Sequence, residues 1–242
     1  MISVCIATYN GEKYIKEQLD SILCQLSEED EIIISDDDSK DKTIDIIKSY
    51  KDDRIKLFPH EKDMSLCKKE KPSFYFATQN FENALSHAKG DYIFLSDQDD
   101  IWLPNKVERT LAALRENYAM MSNCQIIDDL GNITLSKFRE VKPFADNFIG
   151  NLIKMSFVGC CMAFRKEVVE KALPFPKDLF AHDFWLGCIA TKYFNIVYLD
   201  EVLHSYRQHS NNVSPGSSKS KNSIFFKIKY RLRLLFQYCS LR

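Results

Sequence analysis

Three carboxylates, Asp97, Asp99 and Asp100, crowd the end of the apolar run Tyr92-Ile93-Phe94-Leu95. Aromatic and β-branched residues following Gly90 predict a short buried strand there. If strand geometry persists, Asp97 and Asp99 leave one face and Asp100 the other. Like charges held this close repel one another unless something positive lies between them. Oxygen-only ligands suit magnesium or manganese. The competing reading is a solvated acidic turn, since charged residues are mostly exposed. Against it, the strand in front and Ile101-Trp102-Leu103-Pro104 behind pin the acids between two apolar anchors.

Three further groups could do chemistry. Asp36-Asp37-Asp38-Ser39 follows the apolar Ile32-Ile33-Ile34. Carboxylates there could accept hydrogen bonds from a nucleobase imide or a ribose hydroxyl, while Asp38 or Ser39 could instead cap the next helix. His182-Asp183 precedes the amphipathic run Phe184 to Ile189. Its Asp is either a helix cap or a general base taking a proton from an attacking hydroxyl. In Tyr206-Arg207-Gln208-His209, the His could ligate a metal and the Arg could contact phosphate.

The elements that must position these groups alternate. Strand-like runs at Ile2–Ala7, Glu31–Ser35, Ile55–Phe58 and Tyr92–Leu95 are separated by helical patterns at Tyr14–Leu26, Thr43–Tyr50 and Phe74–His87. Such alternation implies crossover units and a mainly parallel sheet with helices on both faces, with ligands beyond the carboxyl ends of the strands. Thr8-Tyr9-Asn10-Gly11, Asp36–Asp38 and Asp97–Asp99 all fall at those ends. The second half is less regular. A helix is expected over Leu103–Tyr118 and another over Phe184–Phe194, with strands at Met120–Asp128, Phe157–Phe164 and Ile196–Leu203. Ser210–Asn222, rich in Ser, Asn, Gly and Lys, suits a linker.

The chain has 242 residues, enough for one full core and an appendage. Its net charge of −1 conceals a split: residues 1–201 hold 34 acidic and 25 basic residues, and the eight charged residues after Glu201 are all basic. Phe225, Ile228, Leu232, Leu235, Phe236 and Cys239 recur at three- and four-residue spacing among Lys227, Lys229, Arg231 and Arg233. This predicts a basic amphipathic helix over 223–242, lying on an anionic membrane surface or packed on the domain or a second subunit as a homodimer contact. Eight cysteines without a CxxC pair, and no apolar run approaching 18 residues, point to reduced thiols and a cytoplasmic protein at the inner face of the membrane. No nucleic-acid partner is expected.

Ile2–Gly11, the Ser35–Thr43 acidic turn, Leu95–Trp102, the apolar run around Gly159 and His182-Asp183 together resemble family-two inverting glycosyltransferases of the GT-A fold, over roughly residues 1–213. The resemblance implies a single α/β domain over 1–213, a linker over 214–222 and the tail helix beyond. It implies that Ala7 and Tyr9 flank a nucleobase and Asp37 binds its imide. Asp97 and Asp99 are then the DxD pair, Asp99 the main ligand of Mn2+ or Mg2+, with His209 a further metal contact. Asp183 is the catalytic base, and Gly159 and Arg207 join the substrate site. Ser96–Trp102 and Tyr206–Val213 look most like bacterial rhamnosyltransferases and related capsule or O-antigen enzymes. Those use a nucleotide-sugar donor, here first dTDP-rhamnose, and a glycan or lipid-linked acceptor. UDP-hexose or UDP-N-acetylhexosamine donors stay open. A hydrolase would want two carboxyl groups flanking the scissile bond and leaves the nucleotide-like loops without a role; a non-catalytic nucleotide-sugar-binding domain would survive loss of Asp183. Two departures stand out: family members often carry Gly where this chain has Asp38, and the lysine-rich 60–73 segment lacks a Gly-rich turn.

Overall fold

The structure, a computed structural model, describes residues 1–141, 143–145, 148–210, 212 and 223–240, with Phe148 described by its backbone alone. The domain end expected at 213, the linker expected over 214–222 and the last two residues of the expected tail helix lie outside the described residues. The first half alternates as anticipated: β1 (Ile2–Thr8), α1 (Ile15–Leu23), β2 (Glu31–Asp36), α2 (Thr43–Ser49), β3 (Ile55–Pro59), α3 (Pro72–His87) and β4 (Tyr92–Asp97). Then come β5 (Ile101–Trp102), α4 (Lys106–Leu114), β6 (Ala119–Ile127), β7 (Ile133–Leu135) and α5 (Phe148–Lys154). The chain finishes with β8 (Met162–Arg165), α6 (Lys166–Ala172), α7 (His182–Tyr193), β9 (Ile196–Arg207) and α8 (Ile224–Ser240).

The strands form one sheet in the order β3-β2-β1-β4-β8-β6-β9-β5, with β7 paired to β6. The first four are parallel. Beyond β4 the sheet is mixed: β8 runs antiparallel to β4 and β6, β9 parallel to β6, and β5 antiparallel to β9. The expectation of a mainly parallel sheet therefore describes the first half. Only residues 98–100 separate β4 from β5, and β5 pairs with β9 at the far edge and not with β4.

Alternation along the strands makes two cores, one on each face. Val4, Ile6, Ile32 and Ile34 pack with Ile15, Leu19 and Ile22 of α1, which recur on one helical face. Cys5, Ile33 and Leu95 pack on the other side with Phe81, Phe164, Phe184 and Ile189.

Four expectations change. The strand expected over Phe157–Phe164 begins only at Met162, because Gly159–Cys161 forms a 3-10 turn. There the Cys160 carbonyl accepts a hydrogen bond from the buried Lys106 ammonium, 2.9 Å away. The helix expected from Leu103 is shorter, and β9 runs four residues further than expected, to Arg207. The tail helix forms but has apolar groups on two faces. Phe226, Tyr230 and Leu234, a stripe not singled out in the sequence, pack inward, the first two rings lying 5.3 and 5.0 Å from Phe180. Of the anticipated stripe, Phe225, Ile228, Leu232, Phe236 and Cys239 are exposed while Leu235 packs against the core. Among the described residues no helix is long and apolar enough to cross a membrane.

Candidate active site

Strand register gathers the first site residues. Thr8 lies opposite Asp36, and Ala7 lies between Ser35 and Asp97, so β1, β2 and β4 end on one rim. Asp36 locks this rim: its carboxylate accepts from the Thr8 hydroxyl at 2.7 Å and from the backbone N–H and hydroxyl of Ser39 at 2.8 and 2.7 Å. That frees Asp37 to face the cavity, buried, with its carboxylate 2.5 Å from His60 Nδ1. Lys62 Nζ stands 3.1 Å from the centroid of the Tyr9 ring and 4.0 Å from Asp37. The lysine-rich 60–73 segment thus begins beside Tyr9 and Asp37, and His60 is a partner of Asp37 that no motif signalled. Asp38 takes φ +62°, the left-handed region where glycine is favoured, so the family's Gly at this position has a backbone reason. The helix-capping contact falls to neither Asp38 nor Ser39: Asp41 accepts from the Thr43 N–H at 3.0 Å.

Between the two metal-ligand candidates, Gln98 holds the Thr8–Gly11 loop. Its Oε1 accepts from the Tyr9 N–H at 2.9 Å and its Nε2 donates to the Tyr9 carbonyl at 3.1 Å. A side chain at Gly11 would collide with that amide. His209 Nε2 lies 2.8 Å from Asp99 Oδ2, and the Asn212 amide donates to the same oxygen at 3.3 Å. Tyr14 stacks on the His209 ring at 5.0 Å and hydrogen-bonds Asp129 through its hydroxyl. Burial, Asp99 and Asp183 push the Asp97 carboxyl up to about 7. A carboxyl pushed up by burial and neighbouring acids, next to an aspartate that meets an imidazole, fits a divalent cation of the manganese or magnesium kind. Asp97, Asp99 and His209 are the residues that would hold it.

Asp183 sits in the first turn of α7, where Oδ1 accepts from the Phe184 N–H at 2.7 Å. Gly159 faces it: a Cβ there would come within 3.3 Å of both Asp183 Cβ and His182 Nε2. Gly159 therefore keeps the space beside the carboxylate open. His182 stacks on Phe81 at 4.1 Å, and burial lowers its proton affinity.

Arg207 is placed differently from the expectation. It is 2% exposed, its Nε donates to the Asp99 carbonyl at 2.9 Å, and Nη2 pairs with Glu17 at 2.5 Å. Its guanidinium is spent inside the protein, tying β9 to the acidic loop and leaving the cavity wall to its neighbours. Beneath that loop, Asp100 Oδ1 accepts from the Arg207 N–H at 2.9 Å. Asp100 Oδ2 lies 2.9 Å from His204 Nε2 without full hydrogen-bond alignment, and His204 Nδ1 lies 2.9 Å from Lys106 Nζ. Burial and the Lys106 charge drive His204 down to about 3, so a neutral imidazole joins a buried lysine to a buried aspartate.

Ala7, Tyr9, Asp37, Asp97, Asp99, Gly159, Asp183 and His209 line one cavity of about 1280 Å³, larger than the 300–1,000 Å³ usual for a single ligand. The family model described as Glycosyl transferase family 2 matches residues 3–173. The chain belongs to that family. This glycosyltransferase is 30% identical to the dTDP-rhamnosyl transferase RfbG of Shigella flexneri, over 93% of this chain and 77% of RfbG. It is 26% identical to UDP-Glc:alpha-D-GlcNAc-diphosphoundecaprenol beta-1,3-glucosyltransferase WfgD of Escherichia coli, over 90% of this chain and 81% of WfgD. Among solved structures, Staphylococcus aureus TarS 1–349 in complex with UDP-GlcNAc gives a TM-score of 0.68 at 21% identity, covering 98% of this chain, which spans 66% of that one. Mycobacterium tuberculosis glucosyl-3-phosphoglycerate synthase, in complex with Mn2+, UDP and glucosyl-3-phosphoglycerate, gives 0.62 at 14% identity, covering 100% of this chain and 81% of its own. The fold is GT-A, one α/β domain with a C-terminal helix.

Proposed function

We infer that this glycosyltransferase is metal-dependent and inverting, and moves a sugar from a nucleotide diphosphate to a hydroxyl of a lipid-linked bacterial surface glycan. The observation that carries this reading is that Asp37, Asp97, Asp99 and a further carboxylate, Asp183 beside Gly159, line one cavity; we read Asp37 as its nucleobase end. Asp183 takes the proton of the acceptor hydroxyl as its oxygen attacks the anomeric carbon, and the bond to the diphosphate breaks with its electron pair on the leaving oxygen. One base on the side opposite the leaving group gives inversion. A divalent cation held by Asp97, Asp99 and His209 would offset the charge growing on that diphosphate.

The first-choice donor is dTDP-rhamnose, supported by the subfamily resemblance and by RfbG. A UDP-hexose is the second reading, supported by WfgD. A panel of nucleotide sugars, screened for manganese-dependent hydrolysis and for protection against melting, separates them. The thymidine sugar should respond most strongly; a response to a UDP-sugar with none to dTDP-rhamnose would overturn the choice.

Membrane contact is proposed through the outer face of α8, where exposed Phe225, Ile228, Leu232 and Phe236 alternate with basic residues and the helix carries no acid. Phe225→Ser/Phe236→Ser should reduce flotation with anionic vesicles. If it instead dissociates a homodimer and leaves flotation unchanged, the face is a subunit contact.

A further inference from the structure

The cavity also reaches α5 and the tail helix. Lys154 of α5 and Lys227, Tyr230 and Arg231 of α8 line it there. Arg231 builds the corner: Nε donates to the Leu152 carbonyl at 3.1 Å, Nη2 to the Ile153 carbonyl at 2.8 Å and Nη1 to the Lys227 carbonyl at 3.3 Å. All three partners are neutral, so these bonds fix the guanidinium without cancelling its charge. Among the described residues, the acids lining the cavity, Asp37, Asp97, Asp99, Asp129 and Asp183, belong to the nucleotide loops, the metal loop, the β6–β7 turn and the base. One cavity thus carries two signs, acidic where a cation is needed and basic at the α5–α8 corner.

The corner is close to the base along the chain's own packing. Phe180, three residues before Asp183, stacks on Tyr230 at 5.0 Å and on Phe74 at 4.6 Å. An acceptor hydroxyl at Asp183 lies in the same cavity as this corner. The same two helices expose Ile149, Ile153, Phe225 and Ile228, so apolar surface adjoins the basic groups.

We propose that Lys154, Lys227 and Arg231 form a subsite for the phosphate groups of a lipid phosphate or diphosphate acceptor, whose chain leaves over the exposed apolar residues of α5 and α8. The proposal rests on the transferase reading above and adds which part of the acceptor is gripped. Lys and Arg donors to phosphate oxygens are the strong, charge-assisted kind, and an Arg held planar by carbonyls is already organised to receive them.

The test uses the full chain in metal-free buffer, where Asp97 and Asp99 repel a diphosphate, and titrates geranyl diphosphate against geraniol by calorimetry. The diphosphate should bind at least about tenfold more tightly than the alcohol, and Lys154→Gln/Lys227→Gln should remove about that factor, as expected for lost charge-assisted bonds. Nucleotide affinity with manganese should be unchanged in the same variant, which reports its folding independently. Geranyl diphosphate binding no tighter than geraniol, or equally well to the variant, overturns the subsite. Nucleotide sugars that neither bind nor turn over, with geranyl diphosphate still held through the two lysines, would sink the transferase reading and leave the subsite standing.

Discussion

The half of the sheet made by β3, β2, β1 and β4 and the half made by β8, β6, β9 and β5 bring side chains to the cavity by different routes. In the first, each polar group follows directly from the end of its own strand, where parallel neighbours in register meet it, as Asp36 meets Thr8 and Ser39. In the second, partners come from far along the chain: Arg207 reaches the Asp99 carbonyl across 108 residues and His209 reaches its carboxylate across 110. Asp183 depends on Gly159 for its space. Damage in the parallel half should therefore be felt first as lost nucleotide binding. Damage in the mixed half should spare the nucleotide and lower transfer.

Asp183→Asn makes the sharpest separation. Transfer should fall by roughly 10²–10⁴, the range for a lost general base, with nucleotide affinity retained; near-normal transfer would return Asp183 to the role of a helix residue. Lys106→Met should break the comparison by undermining both halves at once. It strands His204 Nδ1 and the Cys160 carbonyl, both buried, and each buried polar group left without its partner costs about 1–3 kcal/mol. Urea unfolding measures it, and an unchanged midpoint would show that Lys106 bears little of the fold.

The same buried chain predicts a pH response. His204, held near 3 in the fold, and His182, also lowered by burial, return to about 6.5 when unfolded. The unfolded state binds the extra protons, so their contribution to stability is complete above about pH 6.5 and is lost as pH falls toward the folded values. The raised Asp97 and Asp100 carboxyls act in the opposite sense over the same range, so the imidazole contribution is read as a difference. From pH 7.5 to 5 the urea midpoint should fall more, or rise less, in the natural chain than in His204→Gln, and an equal change would contradict the assignment. Asp99→Ala stays on the nucleotide side. Manganese-dependent nucleotide affinity should fall about 10–100-fold, the scale seen when support of a metal site is lost, and undiminished affinity would remove Asp99 from the ligand set. Asp38→Gly is the mildest change. It relieves a left-handed residue at a cost of roughly 1 kcal/mol and gives up only an exposed pair with Lys40, so a melting temperature that drops would mean the Asp38 side chain is needed.

Several site residues were legible because the chemistry requires them next to a strand end or a helix start. Asp37, Asp97, Asp99 and Asp183 announce themselves by residue type and local position, and the structure brings all four to one cavity. His60 did not, because its contact with Asp37 depends on where the segment after β3 returns. Lys106 gave no signal, since a lysine opening a helix ordinarily faces water; here it is 3% exposed. Arg207 carried a misleading one, because a basic residue beside a substrate loop reads as a phosphate contact until its partners are known. On α8 both apolar stripes are present in the sequence, and periodicity alone could not say which faces the domain.

What the sequence determined by itself is local: strand-and-helix alternation through β4, acids at strand ends, an acid at a helix start and a basic tail helix. Each follows from residue type and spacing within about ten positions, where backbone geometry decides which side chains share a face. Tertiary structure alone decided the antiparallel turn of the sheet after β4, the burial of Arg207 and Lys106, and the face that α8 presents to the cavity. These depend on which distant surfaces meet, and burial then converts ordinary surface charges into internal positioning groups because a buried charge must find its partners inside.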